Sequence, residues 1–299
     1  MFLFFTPYTY LFLSLYFIII VSIFSISNFF IFWLFIEVLI LLFIGVSYTL
    51  FTHSYTQLII YFLFQTLGSF SILVIYLFSL KYLLYFSLFF KLGIFPFFSW
   101  YINVLYRFPS FMLFLASTFH KLPPIYIFYL IVEYSDIRFL ILISVITVLV
   151  SSIFILYIYD LRYLLIVSSI GNNSFMLLAV LTNRIIVFTL FYITYTLTIF
   201  LLLTRFNNLT SHSYSYRIKY SIFGTYLLML LLNLASFPPF PGFILKFLVF
   251  FRCISQYPVI SPLLLLLIVV NVIIIISYIN VFFKYIVNIY RNSSNLILY

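Results

Sequence analysis

Three lysines stand inside apolar runs long enough to cross a bilayer, each beside residues that interrupt a helix. They are Lys91 in FFKLGIFPFF, Lys121 in FHKLPPIY and Lys246 in PPFPGFILKF. Glu37 stands alone among apolar residues in FFIFWLFIEVLILLF. An ionisable group at bilayer depth is costly, so it marks an ion or proton route before it marks packing. Burial disfavours an ammonium and a nearby carboxylate restores it, so such a pair can hold or release a proton as its contact changes. Glu37 with Lys91 is the candidate switchable pair, and Lys121 a candidate relay. Lys246, one turn past Gly242, is a candidate terminal group. His120 and Lys121 are chain neighbours, which point about 100° apart on a helix. Lys121 is therefore expected to face the interior path, with His120 accessory. Gln65, Thr66 and Ser69 could hydrate the route, Gln65 as a further accessory.

The elements that hold these groups must be membrane helices. Of 299 residues, 67% are hydrophobic and 6% charged, which leaves too little polarity to face water. The formal charge of +10 invites a nucleic-acid partner, but its basic residues are scattered singly between apolar runs and form no stripe. Phospholipid is the expected surrounding, and nucleic acid is excluded as a partner. Cys253 is the sole cysteine, so the chain alone builds no disulfide, zinc site or iron–sulfur cluster. The first segment lacks the basic start of a signal peptide and the Arg/Ser-rich pattern of a transit peptide, and reads as a retained helix. The 43 Phe and 28 Tyr have A+T-rich codons, a skew that an organelle genome would give.

Cutting at charges and turn residues gives about ten candidate transmembrane helices, near 5–26, 28–50, 56–79, 82–105, 109–132, 139–159, 162–182, 185–205, 220–252 and 260–287. The longest polar connection is expected from Arg205 to Tyr220. Gly93 and Pro96 should break the fourth helix, and Pro238, Pro239, Pro241 and Gly242 the ninth. The fold class is thus an all-α membrane protein, one polytopic domain over 1–299. Interrupted helices at matching places point to two five-helix repeats, about 1–135 and 136–290. Because five is odd, the repeats should be inverted. Basic residues in the connections favour both termini on the synthesis side: Arg107, Arg162, Arg205, Arg217, Lys219, Lys284 and Arg291 against Lys81, Arg138, Arg184 and Arg252. Glu133, Asp136 and Arg138 read as a loop cluster and Asp160 with Arg162 as a helix start.

Several stretches, taken in order, resemble the mitochondrial NADH–ubiquinone oxidoreductase chain 2 family, the antiporter-like proton-pumping subunits of respiratory complex I. FWLFIEV is similar to its Trp-x-x-x-Glu segment, and KLGIFPFFSW to its Lys-Leu-Gly-x-x-Pro-Phe-x-x-Trp motif. HKLPPIYI, LRYLLIVSSI and FPPFPGFILKF resemble three further family segments. The resemblance implies a proton relay through Glu37, Lys91, Lys121 and Lys246, driven by quinone reduction elsewhere. It implies no cofactor in this chain, with FMN, iron–sulfur clusters and ubiquinone expected in other parts of the complex. It also implies an obligate hetero-oligomer with other membrane-arm subunits, a location in the mitochondrial inner membrane, and both termini on the matrix side. The short form, without extra N-terminal helices, is the one it resembles. The sequence departs from the family pattern at three points: Asn172 follows Gly171 where a histidine is usual, His120 replaces glutamine, and Phe98 replaces histidine. The second-half relay would then run through water, Asn172 or Asn173.

Two rivals keep the same architecture. One is a free-standing cation/proton antiporter, against which a single deep carboxylate among three lysines argues. The other is a non-pumping structural subunit of the membrane arm.

Overall fold

Long apolar runs rich in Leu, Ile and Phe can satisfy their backbone within a bilayer only by coiling into helices. A computed structural model describes residues 7–50, 55–132, 137–157, 160–182, 185–211, 220–257 and 265–280, and among these there is no strand. The chain divides into two compact units, Met1–Ile131 and Val132–Tyr299.

The first unit begins with α1 (Pro7–Ile23), α2 (Phe29–Leu50) and α3 (Tyr55–Leu77). The next apolar run is split into α4 (Lys81–Leu92) and α5 (Phe98–Tyr106). Gly93 caps α4 in the left-handed conformation, φ +66°, and its amide donates back to the α4 carbonyls. Only glycine enters that conformation without Cβ strain. A Cβ at Gly93 would also lie 2.6 Å from the Tyr101 ring, so the break seats α5 tightly.

The following run, expected as a membrane-length segment near 109–132, spans Ser110–Ile131 and is interrupted within it. It forms α6 (Ser110–Ser117), a 3-10 turn (Phe119–Lys121) and α7 (Leu122–Ile131). Pro123 and Pro124 have no amide to offer the carbonyls one turn earlier. The chain tightens instead, with the Lys121 amide donating to Thr118 O at 3.1 Å. The interruption places both His120 and Lys121 in the turn.

The second unit contains α8 (Ile137–Leu156), α9 (Leu161–Leu181), α10 (Ile185–Ser211), α11 (Tyr220–Ala235) and α12 (Pro241–Gln256). A further apolar helix, α13, covers Leu265–Asn280. Every residue of α9 from Leu164 to Leu181 is buried. Asp160 occupies the position before α9 without a side-chain capping bond. The polar connection expected from Arg205 begins later, because α10 continues to Ser211. Polarity marks where a helix leaves hydrocarbon, not where its backbone hydrogen bonds stop.

Among the described residues, six stretches, the third interrupted by the 3-10 turn, are long and apolar enough to span a membrane: 29–50, 55–77, 110–131, 137–156, 161–181 and 185–204. Large side chains such as Leu41, Leu67, Ile186 and Phe251 point outward, as lipid contact requires. The chain is a multi-pass membrane protein. Five of the eleven residues that carried the orientation argument, Arg184, Arg217, Lys219, Lys284 and Arg291, lie outside the described set, as do both termini, Glu133 and Asp136.

Candidate functional site

Trp33 and Glu37 are four residues apart on α2, so they share one face of it. Both meet the same residue of α3. Trp33 Nε1 donates to the Ser69 carbonyl at 2.9 Å, and Ser69 Oγ donates to a Glu37 carboxylate oxygen. Ser69 Oγ also lies 2.8 Å from its own helix's Thr66 carbonyl. One hydroxyl proton cannot serve both acceptors at once. Glu37, alone in its own helix, is thus partnered from the next.

Lys91 ends α4 and is 5% exposed. A cation in a helix's last turn meets the negative end of the helix dipole. Its stem lies along α3 where Gly68 leaves room: a Cβ there would come 2.7 Å from Lys91 Cγ. Gln65, one turn earlier on the same helix, donates to the Lys91 carbonyl at 3.5 Å. The Trp100 indole donates to the Phe90 carbonyl at 3.2 Å, so the end of α4 is held from two sides. Coulombic interaction links Lys91 to Glu37, and Lys91 to His120. Gly68, Ser69 and Gln65 therefore make α3 the rail that touches both Lys91 and Glu37.

His120 and Lys121 are both buried, at 7% and 3% exposure, so the expectation that only Lys121 faces inward is corrected. In a 3-10 turn successive residues diverge by about 120°, which lets both enter the interior in different directions. His120 Nδ1 lies 3.4 Å from the Tyr16 hydroxyl, with Phe43 and Tyr61 rings 5.1 and 5.7 Å away. Lys121 turns toward α5, its Nζ 4.9 Å from the centre of the Tyr101 ring.

In the second unit, Lys246 is 6% exposed on α12, with Nζ 4.6 Å from the centre of the Phe175 ring of α9. It lines a cavity of ≈ 20 Å³ shared with Asn172, Thr194, Thr198, Asn233 and Ser236. That is room for one or two waters. Ser236 Oγ is buried in this wall and finds no hydrogen-bond partner among the described residues. Asn173 is fully buried beside Asn172 on α9. Asn233 anchors the start of α12, since its Oδ1 accepts the Gly242 amide at 2.9 Å.

The structure brings Glu37, Gln65, Lys91 and His120 into one neighbourhood of the first unit, and Lys246 and Asn172 into one cavity of the second. Sequence reasoning missed Gly68, Tyr101, Phe175, Asn233 and Ser236. Two of these carried a signal. Gly68 is a glycine inside an unbroken helix, which points to close approach of a neighbour. Asn233 is a lone amide ahead of a proline cluster. Tyr101 and Phe175 carried none in a chain with 28 Tyr and 43 Phe.

Gly68→Ala tests the rail. Alanine favours the helix by about 1 kcal/mol, so α3 itself is not weakened. The added methyl must push Lys91 off its line, and a displacement near 1 Å at a reacting group costs roughly tenfold or more. On the proton-relay expectation, proton transfer measured in proteoliposomes falls by about that factor with the fold unchanged. Full transport in Gly68→Ala would show that Lys91 has no fixed seat.

Fold and site together define an all-helical, multi-pass membrane protein with buried lysines at its helix interruptions. Residues 74–275 match the family described as NADH:quinone oxidoreductase/Mrp antiporter, TM, and the chain belongs to that family. Comparison with curated proteins finds no match. Among solved structures, respiratory complex I from Thermus thermophilus with bound aureothin contains a similar chain, 20% identical with a TM-score of 0.69. That likeness covers 84% of this chain and 64% of the other. The Mrp complex from a Dietzia species has a chain 17% identical with a TM-score of 0.71, over 84% of this chain and 55% of the other. An archaeal membrane-bound sulfane sulfur reductase gives 15% and 0.67, over 85% and 61%. The chain thus spans about three fifths of the length of these relatives, and at such identities the likeness is one of fold.

Proposed function

We propose that this chain is a proton-translocating membrane-arm subunit of a NADH:ubiquinone oxidoreductase of the mitochondrial chain 2 kind. Protons pass among Glu37, Lys91, Lys121 and Lys246, with His120, Gln65 and Asn172 accessory, and no redox centre resides in the chain. FMN, iron–sulfur clusters and ubiquinone belong to other subunits. The reading includes about ten membrane passages in two inverted repeats, near 1–135 and 136–290. It also includes obligate assembly with other membrane-arm subunits, lipid contact in the inner membrane, and both termini on the matrix side.

The observation that carries this reading is the Glu37–Ser69 hydrogen bond within the field of Lys91. A carboxylate and an ammonium joined through space, with a hydroxyl that can turn away, form a pair whose proton affinity changes with small movement. One charge moved across the membrane exchanges about 2.3 kcal/mol per 100 mV, which a chain of such groups divides into smaller steps.

Glu37→Gln keeps an acceptor for Ser69 and removes the charge. NADH-driven proton uptake into proteoliposomes of the assembled complex is expected to drop roughly tenfold. Unchanged uptake would reject Glu37 as the partner of Lys91. The likeness to an Mrp complex chain favours a second reading, cation/proton exchange without NADH oxidation. Sodium-driven proton movement in vesicles holding this chain, absent any NADH-oxidising assembly, would select it.

A further inference from the structure

We propose that Tyr101 and Phe175 are positioning residues whose ring faces serve as fixed counter-charges for Lys121 and Lys246. The inference rests on the proton-relay reading and extends it to groups that do not titrate along the route.

Each lysine sits over a ring within the reach of a cation–π contact, at 4.9 Å for Lys121 and 4.6 Å for Lys246. The same arrangement arises separately in each unit, on unrelated local sequences. Both rings are buried. Tyr101 is 2% exposed and pressed against Gly93, where a Cβ would lie 2.6 Å from its Cγ. Phe175 is 1% exposed on a helix buried from Leu164 to Leu181.

Carboxylates are scarce: four Asp and Glu against fourteen Lys and Arg. Glu37 acts on Lys91. Asp160 precedes α9, and fifteen residues of helix, about 22 Å, separate it from Phe175. The ring answers a problem that a carboxylate does not. A carboxylate beside Lys246 would stabilise the ammonium but also compete for its proton. A π face attracts the ammonium and has no site to accept a proton, so the proton leaves only for water or the next base. The polar cavity on which Lys246 also opens provides that exit.

The test keeps bulk and varies the face. In the assembled complex, Phe175→Leu and Phe175→Met are expected to lower proton uptake per NADH oxidised roughly fivefold or more. Phe175→Tyr should retain most of it. In the other unit Tyr101→Leu should lose uptake and Tyr101→Phe should keep it. Lys121→Met and Lys246→Met are measured beside them. Equal loss in the aromatic and aliphatic variants would assign the rings to packing and overturn the proposal, as would full uptake in Phe175→Leu and Tyr101→Leu. If the lysine variants themselves pump normally, the relay reading falls and takes the proposal with it. If only the lysine variants fail, the relay stands without its rings.

Discussion

On the proposed relay, Lys91→Met is expected to reduce coupled proton transport by roughly two orders of magnitude, the lower range for removing a positioned proton-transfer group. The argument is geometric as much as electrostatic. Methionine retains an unbranched apolar stem, so the slot over Gly68 stays filled and α3 and α4 keep their packing. The Gln65 bond goes to the backbone carbonyl of residue 91 and survives the change. What disappears is the ammonium that acts coulombically on Glu37, which Ser69 holds from α3. Glu37 is left half-buried with its hydroxyl partner and without a cation to exchange with. The measurement is proton uptake per NADH in proteoliposomes, with assembled protein quantified in parallel. Transport near the native level in a normally assembled Lys91→Met complex would end the case for a gate at this position.

The same geometry explains why Glu37 was readable as important and unreadable in its partnership. Its own helix offers only Trp33 as a polar neighbour, and the Trp-x-x-x-Glu spacing shows that the two share a face. Which residue on another helix receives them depends on how α2 and α3 are rotated against each other. That rotation is set by packing of Phe, Leu and Ile side chains that look alike along the sequence. Ser69 was visible only as a polar residue of the third segment. The Ser69–Thr66 and Ser69–Glu37 alternatives arise once the helices are in place.

Helix class, membrane location and the breaks at Gly93 and ahead of Gly242 followed from composition and from backbone chemistry local to each residue. The interruption at His120 and Lys121 was within reach of the same rule, since Pro123 and Pro124 strip two carbonyls of donors. The prolines beside Lys121 were legible as helix breakers, and what the single span expected over 109–132 did not show is where along it the turn falls. Burial of His120 needed the 3-10 turn, which redirects the side chain toward Tyr16, Phe43 and Tyr61. Ring partners of the lysines were beyond reach for a simpler reason. In a chain with 24% aromatic residues, every lysine has aromatic neighbours in sequence, and only the fold selects one.

Gly242→Ala disrupts the junction between α11 and α12, and with it the seat of Lys246. A Cβ at residue 242 would stand 2.3 Å from the Asn233 backbone oxygen and 3.1 Å from its Oδ1. The first of these is main chain at the end of a packed helix, so it cannot swing aside as a side-chain tip would. Relief requires α12 to retreat, which breaks the Gly242 amide bond to Asn233 Oδ1 and opens the cavity beside Lys246. Overpacking of this kind costs about 1–3 kcal/mol, and the lost hydrogen bond adds about 1 kcal/mol. Asn233→Ala separates the two contributions, because it removes the acceptor and leaves the glycine contact intact. The expected order is a clear loss of thermal stability and of assembled complex in Gly242→Ala, and a smaller loss in Asn233→Ala. Gly242→Ala should also lose proton transport in whatever protein does assemble, since Lys246 lies one turn further along the displaced helix. Native stability and transport in Gly242→Ala would mean that α12 does not depend on this close approach, and the break would then be a consequence of its prolines alone.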